Sequence, residues 1–273
     1  MVRPEAQKLS SKFLVEKFSV SERRTSRVLG LNRSTLNYKT KPSRDGPLRE
    51  RMKQLATKHR RFGLPRIHFL LRREGSVMAK SRTERIYRLL GLQLKKRRRK
   101  KYGPVVRVPF ETAALPNEIW SFDFISDYVL TERRLKVLTI VDNCSKRCPG
   151  LLAEYSITSK ILITFFNGLA KLPKKLRCDN GPEMTSREFM GWADGRGIAI
   201  EYIEPGKPIQ NAFAESFNSR FRDECLNQET FIDLENAKKK IEKWRRSYNY
   251  QRPHSALGMK TPIQFEEGLK NKN

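Results

Sequence analysis

The sequence predicts an α/β protein: a mixed sheet covered by helices and preceded by an all-helical, basic region. Three observations carry this. From about residue 117 onward, short apolar strand patterns alternate with amphipathic helix patterns. Before residue 94 the apolar positions recur only at helical spacing. Between the two zones lies an uninterrupted run of seven Lys and Arg residues, Lys95, Lys96, Arg97, Arg98, Arg99, Lys100 and Lys101. Like charges cannot pack against one another, so this run is a solvated arm or linker. The expected division is a helical region over 1–94, a basic linker over 95–116 and the α/β domain with a helical tail over 117–273.

A first helix covers Pro4 to Phe18, with Leu9, Phe13 and Val15 as a short apolar stripe. A second starts at Ser21 and ends by Leu29, where Gly30-Leu31-Asn32 supplies a turn into a third over Ser34 to Tyr38; helix, glycine turn, helix is the layout of a helix-turn-helix. Further helices are expected over 47–59, over 65–74 ending at Gly75, and from the capping-box pattern Ser81-x-x-Glu84 to Leu90. In the α/β domain, Trp120 to Leu130 and Arg134 to Val141 read as strands joined by the turn Thr131-Glu132-Arg133. Leu151 to Ile157 is a third strand, Ser159 to Ala170 a helix, Leu176 to Asp179 a strand and Ser186 to Gly195 a helix. A strand over 198–203 precedes the break Pro205-Gly206-Lys207-Pro208, and helices over 210–225 and 233–248 close the pattern.

Charge narrows the partners. The chain of 273 residues carries 57 Lys and Arg against 29 Asp and Glu, a formal net charge of +28. Such an excess opposes compaction unless a polyanion neutralises it, and nucleic acid is the first candidate. Phosphate contact is accordingly the reading for Arg33, Arg66, Arg72 and Arg73 in the helical region, for the whole 95–101 run, and for Lys207 in the Pro-Gly break. A solvated helix face remains the alternative for any one of these arginines. A membrane partner lacks its sequence: the longest apolar runs, Val137 to Val141 and Ile161 to Phe166, fall far short of the roughly 20 residues a span needs. The N-terminus has no apolar signal stretch, so a cytoplasmic protein is expected. Cys144, Cys148, Cys178 and Cys225, with His59, His68 and His254, make no zinc spacing and read as reduced thiols and surface or packing imidazoles.

Three acids carry the chemistry. Asp123 lies inside the first strand between Phe122 and Phe124, where a carboxylate is costly unless paired or bound to a cation. Asp179 closes a strand and meets the turn pair Asn180-Gly181, and Glu215 follows after 35 intervening residues, inside a helix. Each has a plain alternative when taken alone: an edge-strand Asp, a turn-forming Asp, a surface Glu. Together, a strand centre, a neighbouring strand end and a helix can converge at one sheet edge. Carboxylate oxygens suit Mg²⁺ or Mn²⁺, and two such ions can activate one oxygen and stabilise the leaving oxygen of a phosphodiester. Paired carboxylates also serve glycosidases, but that reading leaves the positive charge unexplained.

Four segments then resemble a known family: Trp120 to Asp127 (WSFDFISD), Val137 to Asp142 (VLTIVD), Arg177 to Glu183 (RCDNGPE) and Asn211 to Asn218 (NAFAESFN). They are similar to the catalytic core of bacterial insertion-sequence transposases, in the group encoded by a downstream reading frame and related to retroviral integrase. Arg222 to Asn227, the tail Tyr248 to Leu257, Ser21 to Tyr38 and Phe62 to Gly75 extend the resemblance over nearly the whole chain. The resemblance implies a ribonuclease-H-like fold with a five-stranded mixed sheet, and two Mg²⁺ ions, replaceable by Mn²⁺, held by Asp123, Asp179 and Glu215. It implies a basic residue seven positions after the glutamate, which is Arg222, and DNA contacts that take in Asn211, with His254 as a DNA or structural contact. Expected partners are double-stranded DNA with terminal inverted repeats, target DNA, further copies of the chain on that DNA, and an upstream-frame product as partner or fusion. The expected location is the bacterial nucleoid. The sequence departs from the family pattern at Asn143, Met184 and Leu64-Pro65, and in a short 150–176 segment. That shortening motivates the alternative, a catalytically inactive or repurposed transposase acting as a DNA-binding protein.

Overall fold

The computed structural model describes residues 4–38, 45–95, 113–204 and 211–271. The chain divides into two units, one through Arg49 and one from Glu50 onward. In the first, helices α1 (Pro4–Phe18), α2 (Glu22–Val28) and α3 (Arg33–Asn37) follow one another, with Gly30 at φ 63 in the turn between α2 and α3. Buried Ser11 and Thr25 share a hydrogen bond of 3.0 Å that joins α1 to α2.

Helix α4 (Gly46–Lys58) leads into the second unit, followed by α5 (Leu64–Arg73) and α6 (Lys80–Leu89). Pro65 falls in the first turn of α5, where its missing N–H costs nothing, and Ile67, Leu70 and Leu71 are buried as their spacing predicts. The Ser81–Glu84 capping box does not form. Helix α6 begins a residue earlier, behind Ala79 with no side-chain cap, and Arg88 one turn on holds the Glu84 carboxylate at 2.6 Å.

Strands β1 (Ile119–Tyr128), β2 (Arg134–Asp142), β3 (Leu151–Glu154), β4 (Lys175–Cys178) and β5 (Ala199–Tyr202) form one sheet in the order β3-β2-β1-β4-β5. The pairs β1–β2 and β2–β3 are antiparallel, while β1–β4 and β4–β5 are parallel. The expected five-stranded mixed sheet is therefore observed. Glu132, at φ 58, makes the turn of the β1–β2 hairpin and fixes a register that sets Asp123 opposite Thr139.

Alternation along β1 and β2 splits the sheet's two faces. Trp120, Phe122, Leu138 and Ile140 face helices α7 (Ser159–Asn167) and α8 (Arg187–Gly195), packing with Phe166 and Phe189. Ile125, Val137 and Val141 face α9 (Ala212–Phe221) and α10 (Leu234–Tyr250), packing with Phe217, Phe221, Ile241 and Tyr248. In the short 150–176 segment the Phe165 ring packs against Gly150, where a Cβ would lie 2.6 Å from Phe165 Cζ. Beyond α9 the helix widens into a π-helical turn, Arg222–Leu226. After α10 come a 3₁₀ turn, Ser255–Leu257, and a last helix α11 (Pro262–Lys270), whose Thr261 and Gln264 form a complete capping box. The sequence predicts a helical tail, but its last expected helix, over 233–248, stops short of both of these elements. Among the described residues, no helix is long and apolar enough to cross a membrane. All four thiols are free.

Candidate active site

Asp123 sits on the α9 face of the central strand, in the middle of the sheet. Its Oδ1 accepts from the Phe124 amide at 2.7 Å and its Oδ2 from Asn218 Nδ2 at 2.9 Å. The other side of the Asn218 amide accepts from Thr139 Oγ1 at 2.6 Å, and that hydroxyl also lies 3.1 Å from the Asp123 carbonyl. Thr139 is 1% exposed, so the bonding of its hydroxyl is obligatory. Asn218 therefore fastens α9 to both strands of the hairpin, one helical turn after Glu215.

Glu215 projects from the first turn of α9 and is exposed. Asp179 follows β4 directly and is also exposed; its Oδ1 accepts from the Gly181 amide at 3.3 Å. Asn180 ties this turn to the Ile203 carbonyl at 3.2 Å. Close by, Glu183 is ion-paired to Lys136, whose ammonium lies 4.0 Å from the centre of the Phe124 ring.

The carboxyl of Asp123 is pushed up to about 6. Burial is the largest cause, and the Asp179 and Glu215 charges add to it, against the donors from Phe124 and Asn218. The three acids are thus within electrostatic reach of one another. Among the described residues, however, no group of three acidic, imidazole or thiol side chains stands close enough to hold a metal ion as the chain now lies. The donor chemistry fits a divalent cation: the oxygens are hard, and the carboxyl electrostatically loaded by its neighbours is the innermost one.

The basic candidates fall into different settings. Arg33, Arg72, Arg73 and Lys95 are exposed. Arg66 is largely withdrawn, with Nε on the Pro253 carbonyl at 3.2 Å. Arg222 is half-buried and donates to the Ser126 carbonyl of β1 at 2.9 Å. Asn211 and His254 need correcting as DNA contacts, because they are only 7% and 5% exposed. His254 stands edge-on to Tyr248 with ring centres 4.7 Å apart, and burial beside Arg252 pushes its imidazole down to about 3. It is a neutral packing residue. Lys96 through Lys101 and Lys207 lie outside the described residues. Reasoning from the sequence missed Asn218 and Thr139. The hairpin turn at 131–133 would have given Thr139 by register, and Asn218 lies three positions after Glu215 on the same helix face.

A five-stranded mixed sheet with helices on both faces is the architecture of the integrase type of catalytic core. The integrase core domain family matches residues 113–208 and, in a second part, 196–262; an HTH-like domain matches residues 43–101. A 31.7 kDa protein of insertion element IS407 from Burkholderia multivorans is 41% identical over 254 residues, covering 92% of each chain. The putative transposase InsK of insertion element IS150 from Escherichia coli is 23% identical over 262 residues, covering 88% of this chain and 91% of its own. Among solved structures, a chain of the simian T-cell lymphotropic virus intasome superposes with a TM-score of 0.53 at 16% identity, covering 79% of this chain and 74% of that one, a likeness of fold alone. The chain belongs to the integrase-core transposases of bacterial insertion elements.

Proposed function

We propose that the chain cuts DNA at the ends of its insertion element and joins the freed 3′-hydroxyls to target DNA, with Asp123, Asp179 and Glu215 as the acids that hold two Mg²⁺ ions. Mn²⁺ would serve in their place. The observation that carries this is the position of Asp123: central in the sheet, bonded through Asn218 to the helix of Glu215, and raised first by burial and then by the charges of Asp179 and Glu215. When bound, the divalent ions would supply charge neutralisation at the scissile phosphodiester and lower the pKa of the attacking oxygen's proton.

The chain's own residues do the rest. Asn218 and the Phe124 amide hold both Asp123 oxygens in fixed directions. Asp179 and Glu215, both exposed and free to change rotamer, would supply the other two carboxylates that hold the ions. The basic surface binds phosphate without reading sequence, while the helix-turn-helix region would recognise the terminal repeats. Two element ends must be held together, so the working species is an oligomer assembled on DNA, with an upstream-frame product as a further partner or fusion. The site of action is the nucleoid in the bacterial cytoplasm. Nothing favours the inactive alternative: the short 150–176 segment that motivated it still forms β3 and α7.

The test is a cleavage and joining assay on terminal-repeat DNA with Mg²⁺, comparing wild type with Asp179→Asn. The variant should lose about 100- to 1,000-fold in rate, comparable with losing one major electrostatic stabiliser of a transition state. Undiminished activity would overturn the assignment.

A further inference from the structure

A cavity of about 270 Å³ opens beside α9, lined by Arg66 of α5, Lys146 of the turn after β2, Arg220 of α9, Arg252, Phe213 and Tyr248. Four cations line it and, among the described residues, no carboxylate does. Arg252 is already committed, bonded through two nitrogens to Glu224 at 2.5 and 2.7 Å. The other three have no ion-pair partner among the described residues. Each donates to one backbone carbonyl: Arg66 to Pro253, Arg220 to Ser216 at 2.9 Å, and Lys146 to Asn143. One carbonyl satisfies a single donor of a guanidinium that has five, or of an ammonium that has three.

The cluster is electrostatically unfavourable as it stands. Arg66 is pushed down to about 10, first by burial and then by the charge of Arg252. Lys146 is pushed down to about 8 by burial, with the charge of Arg220 acting in the same direction against Asp142. A second cavity, also of about 270 Å³, shares Arg66, Arg220 and Arg252 and reaches Ser219 and Lys95. The two form a trough from Lys95, at the foot of the basic run, along the helix that carries Glu215. Its acids, Asp223 and Glu224, are both paired, to Arg61 and Arg252.

We propose that this trough seats consecutive backbone phosphates of DNA, with Arg66, Lys146 and Arg220 as the ligands of the oxyanions. A phosphodiester chain fits better than a compact anion, because the three shared arginines join two cavities into one elongated, open path. The inference rests on the reading of the chain as an enzyme acting on DNA, and it adds where the strand lies. A phosphate held there would tie α5, the 143–146 turn and α9 together, coupling the HTH-like region to the helix of Glu215.

The experiment measures binding of the full chain to a fluorescently labelled duplex of scrambled sequence over a range of KCl. Lys146→Gln and Arg220→Gln should each weaken binding several-fold and flatten the slope of log affinity against log salt by about 0.9, the value for one phosphate no longer neutralised. Arg220→Lys keeps the charge and should keep the slope. Folded Gln variants with the wild-type slope and affinity would overturn the proposal. If the Gln variants do not fold, wild-type protein decides. Lys146, depressed to about 8, should acetylate readily near neutral pH, and duplex should protect it; unchanged acetylation with saturating duplex would equally overturn the proposal. Neither readout requires cleavage. A chain that binds in this way but never cuts refutes the catalytic reading alone, whereas one that cuts with an unchanged slope refutes only the trough.

Discussion

The two faces of the sheet are built from the same strands but by different rules. On the α7–α8 face, Phe122, Phe166 and Phe189 meet edge-on or tilted with ring centres 5.8 to 6.3 Å apart, and Trp192 closes over Phe166 and Phe189 at 5.4 Å. That face is mainly apolar and makes stability, its polar links, Trp120–Asp142 and Lys136–Glu183, lying towards the two ends of β2. On the α9–α10 face, an equally aromatic cluster of Phe217, Phe221, Trp244 and Tyr248 is interrupted by polar links: Thr139–Asn218–Asp123, and Arg252–Glu224. Buried polar links are costly unless complete, and they hold one geometry when they are. The chain thus keeps packing and chemistry on opposite sides of a single sheet.

Substitutions can break that separation. The largest expected effect is on the sealed face: Phe166→Ala should cost about 3–5 kcal/mol of stability, read by urea denaturation, with little change in activity per folded molecule. Loss of activity at full stability would erase the distinction. On the working face, Asn218→Ala should cost a smaller ~1–3 kcal/mol, since it leaves Thr139 and Asp123 short of a partner. It should also raise the pKa of Asp123 by removing a donor to its ionised form, moving the acid limb of the pH–rate profile upward, a shift that a purely structural asparagine would not produce.

The smallest effect is in the linkage between pH and folding. Asp123 is held near 6, above its ordinary value of about 3.9, so the folded state keeps a proton the unfolded chain releases. Its contribution to stability is therefore greatest below pH 4 and declines as pH rises through 6. Relative to Asp123→Asn, wild type should lose about 2–4 °C in Tm between pH 4 and 6.5, in the absence of divalent ions. Added Mg²⁺ should restore that loss in wild type and leave the variant unmoved. A wild-type curve parallel to that of the variant would show that neither burial nor the neighbouring charges raise Asp123.

Much of this was legible because the strands announce themselves. Alternation in 120–130 and 134–141 with a three-residue turn gives both the hairpin and the α9 face of Asp123. Capping was less reliable. Ser81-x-x-Glu84 and Thr261-x-x-Gln264 have the same form, but only the second becomes a box, with Pro262 starting the helix behind Thr261 while Arg88 takes Glu84 away. Asn211 and His254 show the other limit. Residue type suggests a contact, but burial depends on how α9 and the 252–256 turn pack, and no local pattern carries that. Lys146 and Arg220 went unremarked for the same reason: three segments far apart in the chain make one cavity.

The widened turn after α9 has a consequence for phase. Phe217, Phe221 and Cys225 repeat every four residues, a beat slightly longer than a regular helix keeps, so an unbroken helix would rotate the last of them off the core. The π turn slackens the winding over 222–226 just enough to keep Cys225 and Leu226 inside. The same slackening brings two adjacent acids to bear on two different cations, Asp223 on Arg61 and Glu224 on Arg252. A single irregular turn thus links the helix of Glu215 to Arg61, in the segment that leads into α5, and to Arg252, after α10.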